Sequence, residues 1–429
     1  MECLDAYVLS PGPLIVTLLT LAFLVNQAWP LFSRQKKNYQ LSDSKVINDD
    51  HNNLTVSKEP EVPGGWWSGR DVFELERRAL FSKSWLYLAH RTQFSKPGAY
   101  QSFDIAGFPI FLIRGKDDKI RAFHNVCRHR AYTITRKETG TSTVLGCRYH
   151  GWSYDTTGRL VKAPQFDNIP EFDKSENSLF EIHAYTSNHG WVFVNLDAGE
   201  PPHFPKSTIL ALDEFVQASG LGSKSEWITG QTLAGSFNWK SGMSARYFAD
   251  VTAQLEKLVS AETSPSMAAK FIQMITPKKS QAECPLFPGT FLYSFANAGL
   301  WLSLSFLPAS EMTTQVRYDL ISLCPMIDAN KNALTTAVGG CIQDFVQYIE
   351  ADFRYIAERP AERSPNTRHI LHQLQEHAKL ERKSGGQILP AMRQPKGSAL
   401  FQQAEQLCKD IDCVAPGSGP GLTPGGLDW

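Results

Sequence analysis

Two short cysteine–histidine motifs constrain this chain more than any other feature of its sequence. The first has the spacing Cys127-x-His129 and the second has the spacing Cys147-x-x-His150. The stretch between them is long enough to bring the two motifs face to face. Because each motif carries one sulfur and one imidazole, their approach would gather two thiolates and two imidazoles at one place. The sequence therefore predicts a metal centre with these four residues as ligands.

The arrangement of the ligands favours iron and sulfide over zinc. Two thiolates on one iron and two imidazoles on the other make a Rieske [2Fe–2S] centre. A Cys2His2 zinc site has the same composition, but zinc fingers pair Cys with Cys and His with His. Here each motif carries one of each type. Gly151, directly after the last ligand, would allow the tight turn that such a loop needs. Four unrelated core residues are the remaining alternative.

The overall composition excludes some classes of partner. The chain has 429 residues, 42% of them hydrophobic, so it can build two domains with real cores. Lys+Arg and Asp+Glu are equal at 43 each, which argues against nucleic acid as a partner. The eight cysteines form no short disulfide framework. Reduced cysteines favour a protein body that faces the cytosol.

The first 33 residues are predicted to form a membrane anchor. The stretch from Leu14 to Phe32 is 19 residues long and mostly apolar, which is enough to span a bilayer. Arg34, Lys36 and Lys37 follow it, so a single-pass anchor would leave the body on the cytoplasmic side. An interfacial helix is the alternative, since Asn26, Gln27 and Pro30 interrupt the last third.

The remaining chain divides into four segments, and the predicted fold class is α+β. Residues 34–63 are predicted to form a polar linker, and residues 64–200 an all-β domain that holds the metal centre. Residues 201–410 are predicted to form a domain of antiparallel sheet plus helices, and residues 411–429 a Gly/Pro-rich tail. In the first domain a helix is expected over Asp71–Trp85, capped by Ser68 or Asp71. Strands are expected at Tyr100–Ile105, Pro109–Ile113, Ile120–Asn125 and Gly190–Leu196.

In the second domain the pattern alternates between strands and helices. Strands are predicted over Trp227–Phe237, Thr290–Pro308 and Thr313–Leu323. Helices are predicted over Ser207–Ser219, Thr252–Ser260, Ser266–Ile275 and Thr335–Glu358.

The chain resembles the Rieske non-heme iron oxygenases, of the aromatic-ring-hydroxylating alpha-subunit type, and within them the choline-monooxygenase-like members. The resemblance is carried by Trp67–Trp85, Cys127–Asp155, Ala163-Pro164, Gly190–Leu196, Asn238-Trp239-Lys240 and Val316–Asp319. It implies that an NAD(P)H-dependent reductase supplies electrons to the [2Fe–2S] cluster. It also implies a mononuclear Fe(II) held by two histidines and a carboxylate, a small-molecule substrate, and a homotrimer.

One departure from the family concerns the mononuclear iron. After Asn-Trp-Lys the family has a His-x4-His pair, but here the corresponding positions are Val251 and Glu256. No histidine lies between His203 and His369. Within that resemblance, the remaining candidates are Asp250 as a bridging carboxylate, Glu256, and a third ligand near Glu350 or Asp352. His369 and His372 share a face of a predicted C-terminal helix, where packing is the alternative to metal binding.

Two functions follow from this pattern. The first is a Rieske-type oxidoreductase that performs O2-dependent monooxygenation of a small or hydrophobic organic substrate. It requires an unorthodox iron site or a mis-spliced segment around 241–270. The second is a Rieske electron-transfer or scaffold protein that has lost its own catalytic iron, and the missing histidine pair favours it.

Overall fold

A computed structural model of the chain describes residues 62–390, with gaps at 168, 170–171, 201, 220–224, 263–281, 296–297, 324–325, 360 and 362–363. The predicted membrane anchor (1–33), nearly all of the polar linker (34–63) and the tail (411–429) lie outside the described residues. So does the helix predicted over 266–275. Among the helices of the described part, none is long and apolar enough to cross a membrane.

A seven-stranded antiparallel sheet underlies the metal-binding half. Its strands are β1 (Leu86–His90), β2 (Ala99–Ile105), β3 (Phe108–Arg114), β4 (Ile120–His124), β5 (Thr139–Thr141), β9 (Glu181–Thr186) and β10 (Trp191–Asn195). Their spatial order is β1-β10-β9-β4-β3-β2-β5. The four strands predicted from the sequence are all present, with ends that differ by at most one residue. The all-β character predicted for this half is therefore confirmed.

A three-stranded sheet holds the second cysteine–histidine motif. It consists of β6 (Val144–Gly146), β7 (Ser153–Asp155) and β8 (Leu160–Lys162), with β7 in the middle. Leu145, Tyr154 and Leu160 are buried and pack on Phe111 and Phe123 of the large sheet. The small sheet is therefore fixed to the large one by a shared apolar core.

The C-terminal half contains a five-stranded antiparallel sheet. Its strands are β11 (Glu226–Gly235), β12 (Glu283–Leu286), β13 (Thr290–Phe295), β14 (Leu300–Pro308) and β15 (Thr314–Ser322). The spatial order is β11-β15-β14-β13-β12. Every residue of β14 is buried, because the sheet is covered on both faces.

Six α-helices are defined in the described part of the chain. They are α1 (Arg70–Glu76), α2 (Lys206–Ser219), α3 (Trp239–Gly242), α4 (Ala245–Glu262), α5 (Asp328–Ile356) and α6 (Pro365–Ser384). Apolar residues of α4 and α5 pack together on one face of the five-stranded sheet. On the other face, Trp301 and Ile321 pack on β1, β10 and α2. The predicted sheet-plus-helices architecture is confirmed.

The first helix is shorter than predicted. α1 ends at Glu76 and continues as a π-helical turn over Arg77–Phe81. Gly69 occupies the N-cap position and no side chain caps the helix, so the predicted cap by Ser68 or Asp71 is wrong. A π turn shifts the side chains that follow it out of the α-helical register. A search of the sequence for the 3.6-residue α-helical period cannot detect this shift.

Buried polar contacts join the two halves. Lys240 Nζ of α3 lies 2.5 Å from Glu76 Oε1 of α1, and Trp239 Nε1 donates to Glu76 Oε2 at 2.8 Å. On β15, the Asp319 carboxylate accepts from Gln93 Nε2 at 2.6 Å, and Gln93 lies in the turn after β1. The metal-binding half and the C-terminal half therefore form one packed body.

Candidate metal centre

The two cysteine–histidine motifs lie on loops with the same backbone conformation. The first loop follows β4 and the second connects β6 to β7. In the first loop, the Cys127 amide donates to the Tyr132 carbonyl at 2.8 Å; in the second, the Cys147 amide donates to the Trp152 carbonyl at 2.7 Å. Each loop thus closes over the five residues after its cysteine, and each presents its histidine beside its cysteine.

Both loops turn through a residue with positive φ. Ala131 has φ +55° and donates to the Cys127 carbonyl at 2.9 Å, and Gly151 has φ +72° and donates to the Cys147 carbonyl at 3.0 Å. Only glycine adopts this region without steric cost, which explains the glycine in the second loop. A Cβ at Gly151 would also lie 3.3 Å from Pro164 Cγ. The second loop is therefore covered closely by the Ala163-Pro164 segment.

The structure brings all four predicted ligands together. The His129 and His150 ring centroids are 4.7 Å apart, and the Cys127 and Cys147 thiols are within hydrogen-bonding reach of each other. Both cysteines are free and buried, and His129 is also buried. His150 is partly exposed. Their role as ligands stays a prediction.

The surroundings of the cysteines favour a thiolate. A hydrogen bond from the Cys127 thiol is the main cause that lowers the pKa of Cys147 to about 6; burial opposes this shift, and hydrogen bonds from the amides of Tyr149 and His150 contribute to it. The same contact, together with burial, raises the pKa of Cys127. Backbone N–H groups that point at a ligand sulfur are an outer-shell feature of metal–thiolate sites.

Tyr154 supplies a side-chain contact to the first sulfur. Its hydroxyl oxygen accepts a hydrogen bond from the Arg128 amide at 3.1 Å and lies 3.3 Å from Cys127 Sγ. The oxygen accepts from the amide, so the hydroxyl proton is available for a hydrogen bond to the sulfur. Burial raises the pKa of Tyr154, so the hydroxyl keeps its proton.

Aromatic rings enclose the histidine side of the centre. The Trp152 ring stacks on His129 with a centroid distance of 5.0 Å and an interplanar angle of 9°. Phe166 contacts both rings edge-on, at 5.3 Å from each. These buried rings exclude water and fix the orientation of His129.

The donor set fits a [2Fe–2S] cluster. Such a cluster takes two protein ligands on each iron, here two sulfurs and two imidazoles. Within the described ranges, no group of three or more His, Cys, Asp or Glu side chains could hold one metal ion.

The sequence interpretation missed two residues that shape this centre. Tyr154 lies in β7, two positions after Trp152, which directly precedes the strand. Alternation along an extended chain places both side chains on one face, and this signal could have identified Tyr154. Asn125 precedes the first loop, and its side-chain oxygen accepts from the Ile134 and Thr135 amides at 3.2 and 2.9 Å. Asn125 thereby closes the base of the loop.

The three carboxylates proposed for a mononuclear iron are not brought together as a ligand group. Asp250 lies on α4 and is exposed. Glu256, also on α4, forms a side-chain hydrogen bond with Tyr293. Asp352, on α5, accepts a short hydrogen bond from the Tyr247 hydroxyl. Two of the three are therefore already hydrogen-bonded to tyrosines.

The side of α4 that faces the core is apolar. Val251 is 1% exposed and packs with Leu255 and Val259 against residues of α5. Glu350, the other carboxylate considered, accepts from the Ser236 amide at 2.6 Å. The described residues here do not fit a site of two imidazoles and a carboxylate.

The two candidate histidines of α6, His369 and His372, are exposed, and the third, His377, is buried. His369 lies 2.9 Å from Gln373 through its Nε2 and contacts the Phe287 ring. His377 is buried, with its Nε2 3.3 Å from Glu381 Oε1. Glu381 in turn receives two hydrogen bonds from Arg78, at 2.6 and 3.1 Å, so α6 is tied to the π-helical turn after α1.

The fold and the paired loops define a Rieske [2Fe–2S] domain, and a family profile of that description matches residues 84–173. Part of the chain is similar in sequence to subunits of oxygenases. It is 34% identical over 167 residues to the chlorobenzene dioxygenase subunit alpha of Cupriavidus sp. (strain PS12), covering 39% of this chain and 35% of that protein. It is 35% identical over 137 residues to the carnitine monooxygenase oxygenase subunit of Acinetobacter pittii (strain PHEA-2), covering 32% and 36%. The matched part is about a third of the length of these relatives.

Solved structures share the fold over both halves. The apo form of the quaternary ammonium Rieske monooxygenase CntA matches with a TM-score of 0.56 and 20% identity, covering 74% of this chain and 94% of that chain. Naphthalene 1,2-dioxygenase from Rhodococcus sp. bound to indole matches with a TM-score of 0.56 and 17% identity, covering 72% and 92%. The C-terminal sheet and helices therefore have the fold of these oxygenases.

Proposed function

We propose that this chain is a Rieske-type oxidoreductase of the oxygenase class. It takes electrons from an NAD(P)H-dependent reductase and carries out O2-dependent monooxygenation of a small or hydrophobic organic substrate. The observation that carries the proposal is the combination, in one packed body, of a Rieske domain with a C-terminal half that has the fold of two oxygenases. A homotrimer stays a prediction.

The residues of the metal centre have distinct roles in this proposal. Cys127 and Cys147 bind through their sulfurs, and His129 and His150 bind through ring nitrogens. When bound, a [2Fe–2S] cluster with this ligand set accepts and passes on one electron at a time. Trp152 holds the His129 ring in place.

The test of the oxygenase proposal is substrate-dependent oxygen consumption. The full chain, with a reductase and NADH, is offered carnitine and γ-butyrobetaine in one series and naphthalene and indole in another. These are the molecules named for its relatives and structural neighbours. We expect O2 uptake to rise with a substrate, and label from ¹⁸O2 to appear in the product. NADH oxidation without label in any product would contradict the proposal.

A second function is favoured by a specific observation. The positions that carry the histidine pair in the resembling family are Val251 and Glu256, and the described residues around them fit no mononuclear iron site. Under this second hypothesis, the chain is a Rieske electron-transfer or scaffold protein that has lost its own catalytic iron. As an electron carrier, it would pass the electron of its cluster to another protein.

The iron content of the purified chain separates the two functions. Two irons per chain, with two acid-labile sulfides, would favour the electron carrier. Three irons per chain would favour the oxygenase. Sulfide serves as the internal control, because it counts clusters independently of any further iron.

We also propose that the segment from Leu14 to Phe32 anchors the chain in a membrane, with the body on the cytoplasmic side. Its apolar length and the following cations support this. We expect the full chain to stay in the membrane pellet after carbonate extraction. Leu19→Arg with Phe23→Arg should release it, because charge at the centre of a span is costly. Equal extraction of both proteins would contradict the anchor.

A further inference from the structure

The arginine between the first two predicted ligands lies against an aromatic ring outside its loop. The Arg128 guanidinium carbon is 3.7 Å from the centroid of the Phe180 ring. A cation within about 6 Å of a ring centroid is attracted to the ring, and the planar guanidinium also stacks on aromatic faces. Arg128 Nη2 donates to the Glu176 carbonyl at 3.1 Å. The Arg128 side chain is therefore attached to the segment before β9 by a ring contact and a hydrogen bond.

The Phe180 ring is itself held in place by its neighbours. The Phe180 carbonyl accepts from the His124 amide at 3.0 Å, so the chain before β9 is tied to the end of β4. The buried His124 ring contacts the Phe180 ring edge-on, with centroids 6.5 Å apart. One residue earlier, the Leu179 amide donates to the Gly158 carbonyl at 2.8 Å. Arg128 therefore contacts a ring whose position is set by β4 and by the turn after β7.

The backbone of Arg128 contacts the side chain that lies beside the first sulfur. The Arg128 amide donates to the Tyr154 hydroxyl oxygen at 3.1 Å, and that oxygen is 3.3 Å from Cys127 Sγ. The amide occupies one acceptor position of the hydroxyl, and the hydroxyl proton is left for the sulfur. Because Arg128 stands between Cys127 and His129 in the chain, the way its side chain is held affects the direction of its amide.

We propose that Arg128 is a positioning residue for the metal centre. Its side chain, held by the Phe180 ring and the Glu176 carbonyl, orients its amide towards Tyr154, and Tyr154 then donates its proton to Cys127 Sγ. The proposal rests on the proposed function, because it needs a cluster bound to Cys127. Hydrogen bonds to the sulfurs are among the features that set the reduction potential of such a cluster. Arg128 therefore raises the reduction potential by acting through Tyr154.

Phe180→Leu tests the proposal without changing any charge. It removes the ring beside the guanidinium and leaves Arg128, Tyr154 and the predicted ligands in place. We expect the midpoint potential of the cluster to fall, in the same direction as in Tyr154→Phe, which removes the hydroxyl itself, and by no more than in that variant. Spectroelectrochemical titration of the full, cluster-loaded chain measures the shift, and the visible spectrum reports whether the cluster is intact.

A double-variant cycle shows whether the effect passes through Tyr154. In the Tyr154→Phe background the hydroxyl is absent, so Phe180→Leu should leave the potential where Tyr154→Phe alone has put it. Equal shifts in the two backgrounds would overturn the proposal, because Phe180 would then affect the cluster by another route. An unchanged potential on Phe180→Leu in the wild-type background would overturn it as well.

Further variants separate the position of the guanidinium from its charge. Phe180→Tyr keeps the ring and should keep the wild-type potential. Arg128→Lys keeps the charge but loses the planar group, so its potential should fall as in Phe180→Leu. A wild-type potential in Arg128→Lys with a lowered potential in Arg128→Gln would assign the effect to charge and overturn the proposal. The matched control is Phe204→Leu, in the contact of Phe204 with Tyr185, which should leave the potential unchanged.

Two kinds of failure can be told apart. If Phe180→Leu does not retain a cluster, Arg128→Lys in both Tyr154 backgrounds decides the question by the same criteria. Failure of dithionite to bleach the wild-type protein, with no paramagnetic resonance signal after reduction, would refute the cluster and the proposed function themselves. A wild-type cluster that is intact and whose potential responds to neither Phe180→Leu nor Arg128→Lys would refute only the positioning role of Arg128.

Discussion

Tyr154 shows how one hydroxyl group can adjust the chemistry of this centre. Because its oxygen accepts from the Arg128 amide, its proton is available to Cys127 Sγ. A hydrogen bond to a ligand sulfur stabilises the reduced cluster, which carries more negative charge. We expect Tyr154→Phe to lower the reduction potential, by about 40 mV for a bond worth about 1 kcal/mol.

Spectroelectrochemical titration measures this shift. Tyr185→Phe is the matched control, since Tyr185 lies in β9 and stacks on Phe204 at 4.2 Å, in a different aromatic contact. An unchanged potential in Tyr154→Phe would mean that the hydroxyl does not donate to the sulfur.

His150 is the predicted ligand that is most accessible to solvent. We expect His150→Ala to abolish the visible absorption of the cluster and the paramagnetic resonance signal of the reduced protein, because one iron would lose one of its two imidazoles. His203→Ala, at an exposed histidine, should leave both signals intact. Retention of the full spectrum in His150→Ala would rule out His150 as a ligand.

The two loops of the metal centre turn through equivalent residues, Ala131 and Gly151, so the same substitution can be tested in opposite directions. Gly151→Ala places a methyl group at φ +72° and beside Pro164, at a cost of about 1–2 kcal/mol. Ala131 already occupies the equivalent position at φ +55°, so Ala131→Gly should relieve strain. We expect opposite shifts in the thermal midpoint, measured together with cluster content. Shifts of the same sign would show that the two turns are not equivalent.

The elements that the sequence predicts well are those whose signal is local. The strands around the first motif, such as β2 and β4, are short apolar runs bounded by turn residues. The stretch Thr290–Pro308 is predicted as strand, but it forms two strands, β13 and β14, that turn back near Gly299. Half-buried strands are recognised because apolar and polar residues alternate along them. β14 is buried on both faces, so an alternating pattern in its sequence does not correspond to alternating exposure.

At the scale of the whole molecule, the ligands of the metal centre can be predicted from the sequence, but the contacts that join the two halves cannot. The four ligands occur within 24 consecutive residues and their spacing is specific. Glu76 and Lys240, in contrast, are 164 positions apart, and no local pattern relates them. The contact of Gln93 with Asp319 spans 226 positions. Such pairs depend on how the two halves pack.

The ion pair between Glu76 and Lys240 is buried between the two halves of the molecule. Lys240 is 8% exposed, and its ammonium lies 4.6 Å from the centre of the Trp66 ring. Burial lowers the pKa of Lys240, and the charge of Glu76 opposes that shift. Removing one partner leaves a buried charge without compensation, which costs about 3–5 kcal/mol.

We therefore expect Glu76→Gln and Lys240→Met each to lower the free energy of unfolding substantially, and the double variant to lose much less than the sum of the two. The amide introduced by Glu76→Gln would keep an oxygen that can accept from Trp239 Nε1, so the cycle isolates the charge. Denaturant unfolding of the four proteins gives the coupling energy directly. Additive losses would show that α1 is held to α3 by the surrounding aromatic rings and not by the ion pair.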